Sequence, residues 1–207
     1  MSRSSCVLLI GAVLATPLFV ALWAAQAFSR EGFRPTFHPM SLLSLGDLGW
    51  VQIVNFLVTG ALVMGGGAAL GRTLDAGHLT RWASISIVLM GTGLLVAGMF
   101  VTDAGAGFPA GAPEGVPAMS WHGAVHEVGF LLTQLAFLAV TVLLAVRFGR
   151  SRQRGWMTAS IAALVLAVLI AAVGDPETLA IRLVLSAAVE LGFVSVLAYG
   201  ALRRRVR

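Results

Sequence analysis

The chain alternates between long apolar runs and short polar segments. Each apolar run is close to the roughly 20 residues that a helix needs to cross a hydrocarbon core about 30 Å thick. None shows the strict alternation of apolar and polar residues that a membrane β-barrel requires. The pattern therefore predicts six transmembrane helices, at about residues 6–28, 49–70, 82–101, 123–146, 156–173 and 179–202.

The predicted fold class is all-α, a polytopic membrane helix bundle that forms a single domain over residues 1–207. The first run follows Arg3 and resembles a signal peptide, but its length exceeds the roughly 7–15 apolar residues usual in one. It is therefore predicted to be a retained helix. Composition agrees, because 58% of the residues are hydrophobic and 11% are charged. Soluble domains carry roughly 25% charged residues, so this balance excludes a water-soluble globule.

The basic residues are distributed unevenly along the chain. All fourteen are arginine, and the net charge is +5. Arg30, Arg34 and Arg182 would lie on one side of the membrane, and the other eleven on the side of the termini. The positive-inside rule then predicts cytoplasmic termini in a bacterial inner membrane. Because no aromatic residues interleave a basic patch, nucleic acid is not an expected partner.

Two long loops follow the first and third runs. They read SREGFRPTFHPMSLLSLGDLG and TDAGAGFPAGAPEGVPAMSWHG. Glycine and proline prevent regular structure in the second loop. It is therefore either a disordered connector or a shaped lid over the mouth of the bundle.

Short motifs run through both loops in a particular order. GF, HPMS, SLGDLGW and NF are followed by GMF, TD, GFPAGAP and MSWHG. This order resembles the domain of unknown function 998 family of bacterial and archaeal membrane proteins. The likeness covers the first four helices, while the last two match in hydropathy alone. The resemblance implies a small multi-helix membrane protein and supplies no agreed activity.

Five polar residues fall on the side opposite the termini: His38, Ser41, Asp103, His122 and His126. The spacing of His122 and His126 puts both imidazoles on one face of the fourth helix. Zinc is commonly held by two such nitrogens, and His38 would be the third ligand of a site with an open position for water. Haem is not expected, since two histidines on one helix cannot ligate opposite faces of one haem.

Two functions remain open at this point. In a metal-dependent membrane hydrolase, the zinc would lower the pKa of a bound water, Asp103 would act as base or orienting group, and Ser41 would donate to an oxyanion. In residue types alone, this set is similar to the membrane hydrolases that include alkaline ceramidases. The alternative is a non-enzymatic carrier, sensor or assembly factor with titrating histidines. Either would interact with membrane lipid and with a lipid-like or small-molecule ligand.

Polar residues also occur inside the predicted spans. Glu190 lies in the middle of the sixth run, and Gln134 and Asn55 lie within the fourth and second. Ionisable groups in a membrane are costly and face partners or cavities. The sequence therefore predicts a contact of Glu190 with Gln134 or Asn55.

Overall fold

The protein is described by a computed structural model over residues 1–73, 77–115 and 118–203. Within these residues, six helices are long and apolar enough to cross a membrane, as the sequence predicts. They are α1 (Arg3–Ser29), α2 (Gly49–Thr73), α3 (His78–Met99), α4 (Trp121–Arg150), α5 (Arg154–Ala172) and α6 (Leu179–Arg203). Short 3₁₀ turns at Met40–Ser44 and Pro176–Thr178 precede α2 and α6. The chain is thus an all-helical, multi-pass membrane protein.

Local side-chain contacts fix several helix ends. The hydroxyl of Ser2 accepts a hydrogen bond from the backbone N–H of Ser5 at the start of α1, and Ser120 does the same for α4. Such caps satisfy N–H groups that have no partner within the helix. Arg182 donates to the carbonyl oxygen of Ala171 at 2.7 Å, which satisfies an acceptor at the end of α5.

The six helices form a closed ring. Each packs against its neighbour in the sequence, and α6 packs against α1. Glycines bring α2, α3 and α4 especially close. A Cβ atom added to Gly91 of α3 would lie 2.5 Å from the carbonyl oxygen of Gly60 in α2, and one added to Gly129 of α4 would lie 2.8 Å from that of Gly93. Such contacts give van der Waals packing where lipid supplies no hydrophobic drive for helix association.

The second long loop is folded over its described residues. Ala106 and Gly107 adopt left-handed backbone conformations, with φ of 57° and 75°. Their N–H groups donate to the carbonyl oxygens of Gly115 and Pro113. Phe108 is buried against the ring of Phe33 from the first long loop. The sequence left open whether this loop is a disordered connector or a shaped lid. Up to residue 115, the structure shows a loop with a defined shape.

Candidate functional site

His38 lies in a buried aromatic cluster between the two long loops. Its Nδ1 accepts a 2.9 Å hydrogen bond from the backbone N–H of Arg34, and its Nε2 donates to the carbonyl oxygen of Ala106 at 3.0 Å. The rings of Phe33, Phe37 and Phe108 surround the imidazole. Burial lowers the pKa of His38, the hydrogen bond to Ala106 opposes this shift, and the charge of Arg34 adds to it. A neutral imidazole with both nitrogens occupied joins the loops.

The two histidines of α4 form hydrogen bonds with carbonyl oxygens at and just after the end of α3. His122 Nδ1 donates to the carbonyl oxygen of Val101 at 2.8 Å. His126 Nδ1 donates to the carbonyl oxygens of Ala97 and Phe100, both at 2.9 Å. The last carbonyls of a helix lack partners within the helix, so His126 supplies a missing donor at Ala97 of α3. His122 contacts Val101 in the segment that follows α3. The predicted common face of His122 and His126 is therefore the face that packs on α3.

Asp103, in the loop that follows α3, also contacts the start of α4. Its Oδ2 accepts a 2.8 Å hydrogen bond from the backbone N–H of Ser120, and its Oδ1 lies 3.8 Å from His122 Nε2. Hydrogen bonds from Ser120 lower the pKa of Asp103; desolvation opposes this, and His122 and His126 add to the lowering. A Cβ atom at Gly123 would overlap the carboxylate, so a larger residue at that position would displace the Asp103 side chain.

The predicted three-histidine zinc site is not assembled. Among the residues that the structure describes, no group of three or more histidine, cysteine, aspartate or glutamate side chains is arranged to hold a metal ion. The structure brings Asp103, His122 and His126 together at the α3–α4 junction. It does not add His38 to them as a ligand, because backbone groups occupy both nitrogens of that ring.

A large cavity lies at the centre of the ring. It offers about 260 Å³ to an occupant and is lined by side chains from all six helices and by the turn at Pro39, Met40 and Ser41. Most of the lining is apolar. Ser41 and His126 face this cavity, so two of the five predicted site residues meet there. Glu127 and Phe130 of α4 both line the cavity and are exposed at the surface, which shows that the cavity opens along α4.

Glu190 forms the polar floor of the cavity. Its side chain is 2% exposed. Gln134 Nε2 lies 3.4 Å from its Oε2, and the hydroxyl of Ser186 lies 3.2 Å from its Oε1. The predicted contact with Gln134 is thus confirmed. Asn55, the other predicted partner, instead donates to the carbonyl oxygen of Phe19 at 3.1 Å.

Sequence reasoning overlooked two polar features. The first is Ser186, whose position four residues before Glu190 on a helix could have identified it as a neighbour. The second is a buried amide cluster between α1 and α2, in which Gln26 donates to Gln52 Oε1 at 2.9 Å and Asn55 donates to the same oxygen at 3.3 Å. These polar residues can be read from the sequence. However, no local sequence pattern shows that Glu190 and the amide cluster belong to two separate hydrogen-bond networks.

The family model described as "Protein of unknown function (DUF998)" matches residues 13–200, which is most of the chain. No curated protein and no solved structure matches.

Proposed function

We propose that this protein, which belongs to the DUF998 family, is a non-enzymatic binding protein or carrier for an amphiphilic small molecule. The observation that carries this proposal is the central cavity lined by all six helices. Ligand sites are typically clefts with mostly apolar walls and a few convergent polar groups. The cavity has this character, because Phe19, Phe56 and Leu94 contribute to its walls and Glu190 lies at its floor.

The position of the mouth favours a ligand that arrives from the bilayer. Trp121 at the start of α4 is highly exposed, as expected of an indole at the membrane interface. Phe130 lies roughly 13 Å further along the helix axis at about 1.5 Å per residue, a depth within one hydrocarbon leaflet. An amphiphile in that leaflet would therefore reach the cavity laterally, with its chain among lipid and its head group inside the protein.

The polar groups of the α3–α4 junction support binding more than hydrolysis. Asp103 is held by Ser120, and both histidines of α4 donate through Nδ1 to carbonyl oxygens of α3 and the residues after it. A general base must be free to reach the proton that it removes. Asp103 and the two histidines of α4 are instead held by hydrogen bonds that stabilise the fold. The carrier alternative therefore has the stronger support.

We further propose that both termini face the cytoplasm and that the cavity opens on the opposite leaflet of a bacterial inner membrane. The excess of arginine on the side of the termini supports this orientation. The arginines of the other side are used in the fold. Arg30 donates to the carbonyl oxygens of Leu43 and Leu45, and Arg34 packs on the ring of Phe37.

Binding of radiolabelled dodecanol tests the cavity as the site. The protein would be placed in nanodiscs of phosphatidylcholine, and the bound dodecanol counted per protein. Ala187 lines the cavity, so Ala187→Phe should remove saturable binding by filling it. Ala162 is exposed on α5, so Ala162→Phe adds the same volume outside the cavity and should bind like the natural protein. Equal binding to Ala187→Phe, or no saturable binding to the natural protein, would contradict the proposal.

A further inference from the structure

We infer that the ligand carries a protonated amine as its head group, held in the cavity by the carboxyl group of Glu190. This inference rests on the proposed function and adds the chemical class of the ligand to it. Two features of the lining support it: the sign of its charged side chains, and the excess of hydrogen-bond acceptors over available donors.

The charged side chains that line the cavity are acidic. They are Glu127 near the mouth and Glu190 at the floor, and no arginine joins them among the described residues. The nearest arginines along the chain are committed elsewhere. Arg34 packs on the ring of Phe37, Arg30 is bound to loop carbonyl oxygens, and Arg182 binds the carbonyl oxygens of Ala171 and Asp175. The lining thus contains carboxyl groups and no arginine, and a cationic head group would pair with the ionised form of either carboxyl group.

The hydrogen-bond donors near Glu190 are already in use. The amide nitrogen of Gln134 points to Glu190, and the hydroxyl of Thr133 donates to the carbonyl oxygen of Gly129 at 3.0 Å. The hydroxyl of Ser186 has one proton and two acceptors within reach, which are Glu190 and the carbonyl oxygen of Ala167. A head group that needs donors, such as a sulfonate or a phosphate, would find few in this part of the cavity.

The acceptors remain available. Because His126 donates from Nδ1 to two carbonyl oxygens, Nε2 is the ring nitrogen that could accept a hydrogen bond. A carboxylate has about four lone-pair positions, and the contacts of Glu190 with Gln134 and Ser186 use two of them. A primary ammonium offers three donors and no acceptor, which complements the free acceptor positions of Glu190.

Aromatic rings near these acceptors also favour a cationic head group. Phe56 lines the cavity and meets the ring of His126 at a centroid distance of 6.3 Å, and Phe19 lies 5.9 Å from Phe56. Aromatic faces attract cations through the ring quadrupole, most strongly where water is excluded. The same rings pack against the first methylene groups of an alkyl chain, so they serve both ends of an alkylamine.

Three amphiphiles with one chain length and different head groups test the inference. Radiolabelled dodecylamine, dodecanol and dodecanesulfonate would be titrated at neutral pH into phosphatidylcholine nanodiscs, with Ala187→Phe giving the background from partition into lipid. Dodecylamine should bind at least about tenfold more tightly than dodecanol, since charge-assisted hydrogen bonds are worth that much. Dodecanesulfonate should bind more weakly than dodecanol. Sulfonate binding as tight as amine binding would overturn the inference.

Variants test whether the Glu190 carboxyl group causes the preference for dodecylamine. Glu190→Gln should lower the affinity for dodecylamine about tenfold or more and leave that for dodecanol within about twofold, because the isostere keeps the shape and loses the charge. Glu31→Gln, which removes an exposed carboxylate outside the cavity, should change neither affinity. An amine preference that persists in Glu190→Gln would overturn the inference. If dodecanol also fails to bind saturably, the proposed function itself fails, so the two failures are distinguishable.

Discussion

His38 donates a 3.0 Å hydrogen bond from Nε2 to the carbonyl oxygen of Ala106, and this contact joins the two long loops at one end of the bundle. The residues that follow His38 in the chain, Pro39, Met40 and Ser41, line the cavity. A substitution at His38 is therefore expected to alter both the stability of the loops and the shape of the cavity.

The first prediction concerns the pH dependence of His38. The pKa of its ring in the folded protein lies below the ordinary value of 6.5, so folding favours the neutral form. This contribution is complete above about pH 6.5 and is lost as the pH falls through the lower folded-state pKa. His38→Ala should reduce the free energy of unfolding at alkaline pH by about 1–3 kcal/mol and weaken the acid dependence below about pH 6.5.

Thermal melts of detergent-solubilised protein between about pH 8 and about pH 5 would measure both effects. His78→Ala is the matched control, because His78 is exposed at the start of α3 and lies far along the chain from the loop cluster. An acid dependence in His38→Ala as steep as that of the natural protein would show that the ring does not titrate as predicted.

The second prediction concerns Asp103 and Gly123. A Cβ atom at Gly123 would overlap the Asp103 carboxylate, so Gly123→Ala should cost about 1–3 kcal/mol through overpacking. Asp103→Ala alone should also lower Tm, because the backbone N–H of Ser120 loses its acceptor. The double variant should be more stable than the sum of the two single effects, since removal of the carboxylate makes room for the new methyl group. Strict additivity of the melting shifts would argue against this contact.

The third prediction concerns membrane orientation. Cys6 is the only cysteine, so Cys6→Ala provides a background for labelling. A cysteine introduced at the exposed position Ala110 should react in intact cells with a membrane-impermeant maleimide, and one introduced at the exposed position Ser151 should react only after lysis. The reverse pattern would place the termini outside the cytoplasm and the cavity mouth in the other leaflet.

The fourth prediction concerns the close packing of α2 and α3. Gly91→Ala would place a methyl group 2.5 Å from the carbonyl oxygen of Gly60 and should cost about 1–3 kcal/mol. Gly192→Ala in α6 meets open space and should instead stabilise the protein by roughly 0.5–1 kcal/mol through helix propensity. Melting temperatures in one detergent would compare the two variants. A neutral Gly91→Ala would mean that the helices separate without cost at this contact.

The fifth prediction concerns Glu190 as a structural residue. Glu190→Gln should be tolerated, because an amide retains both a donor and an acceptor for Gln134 and Ser186. Glu190→Leu should reduce stability by about 1 kcal/mol, the scale of side-chain hydrogen bonds within membranes. Purified yield and melting temperature would report the difference. Equal stability of all three forms would show that the contacts of Glu190 contribute nothing to folding.

The sequence alone determined the helices. Long apolar runs specify transmembrane spans because backbone groups in hydrocarbon must satisfy one another within a helix. The six predicted spans therefore agree with α1 to α6 to within a few residues at most ends. The largest differences are four residues each: α3 begins at His78 where residue 82 was predicted, and α4 ends at Arg150 where residue 146 was predicted. The membrane class and the family likewise followed from local pattern and motif order.

The tertiary structure alone decided what the polar residues do. The spacing of His122 and His126 correctly placed them on one helix face, but only the packing of α4 on α3 shows that this face meets carbonyl oxygens. His38 resembles a ligand in the sequence, yet its environment depends on Arg34, Ala106 and the surrounding phenylalanine rings. The cavity depends on residues from all six helices, and the distances between distant helices are set by close packing that no local pattern records.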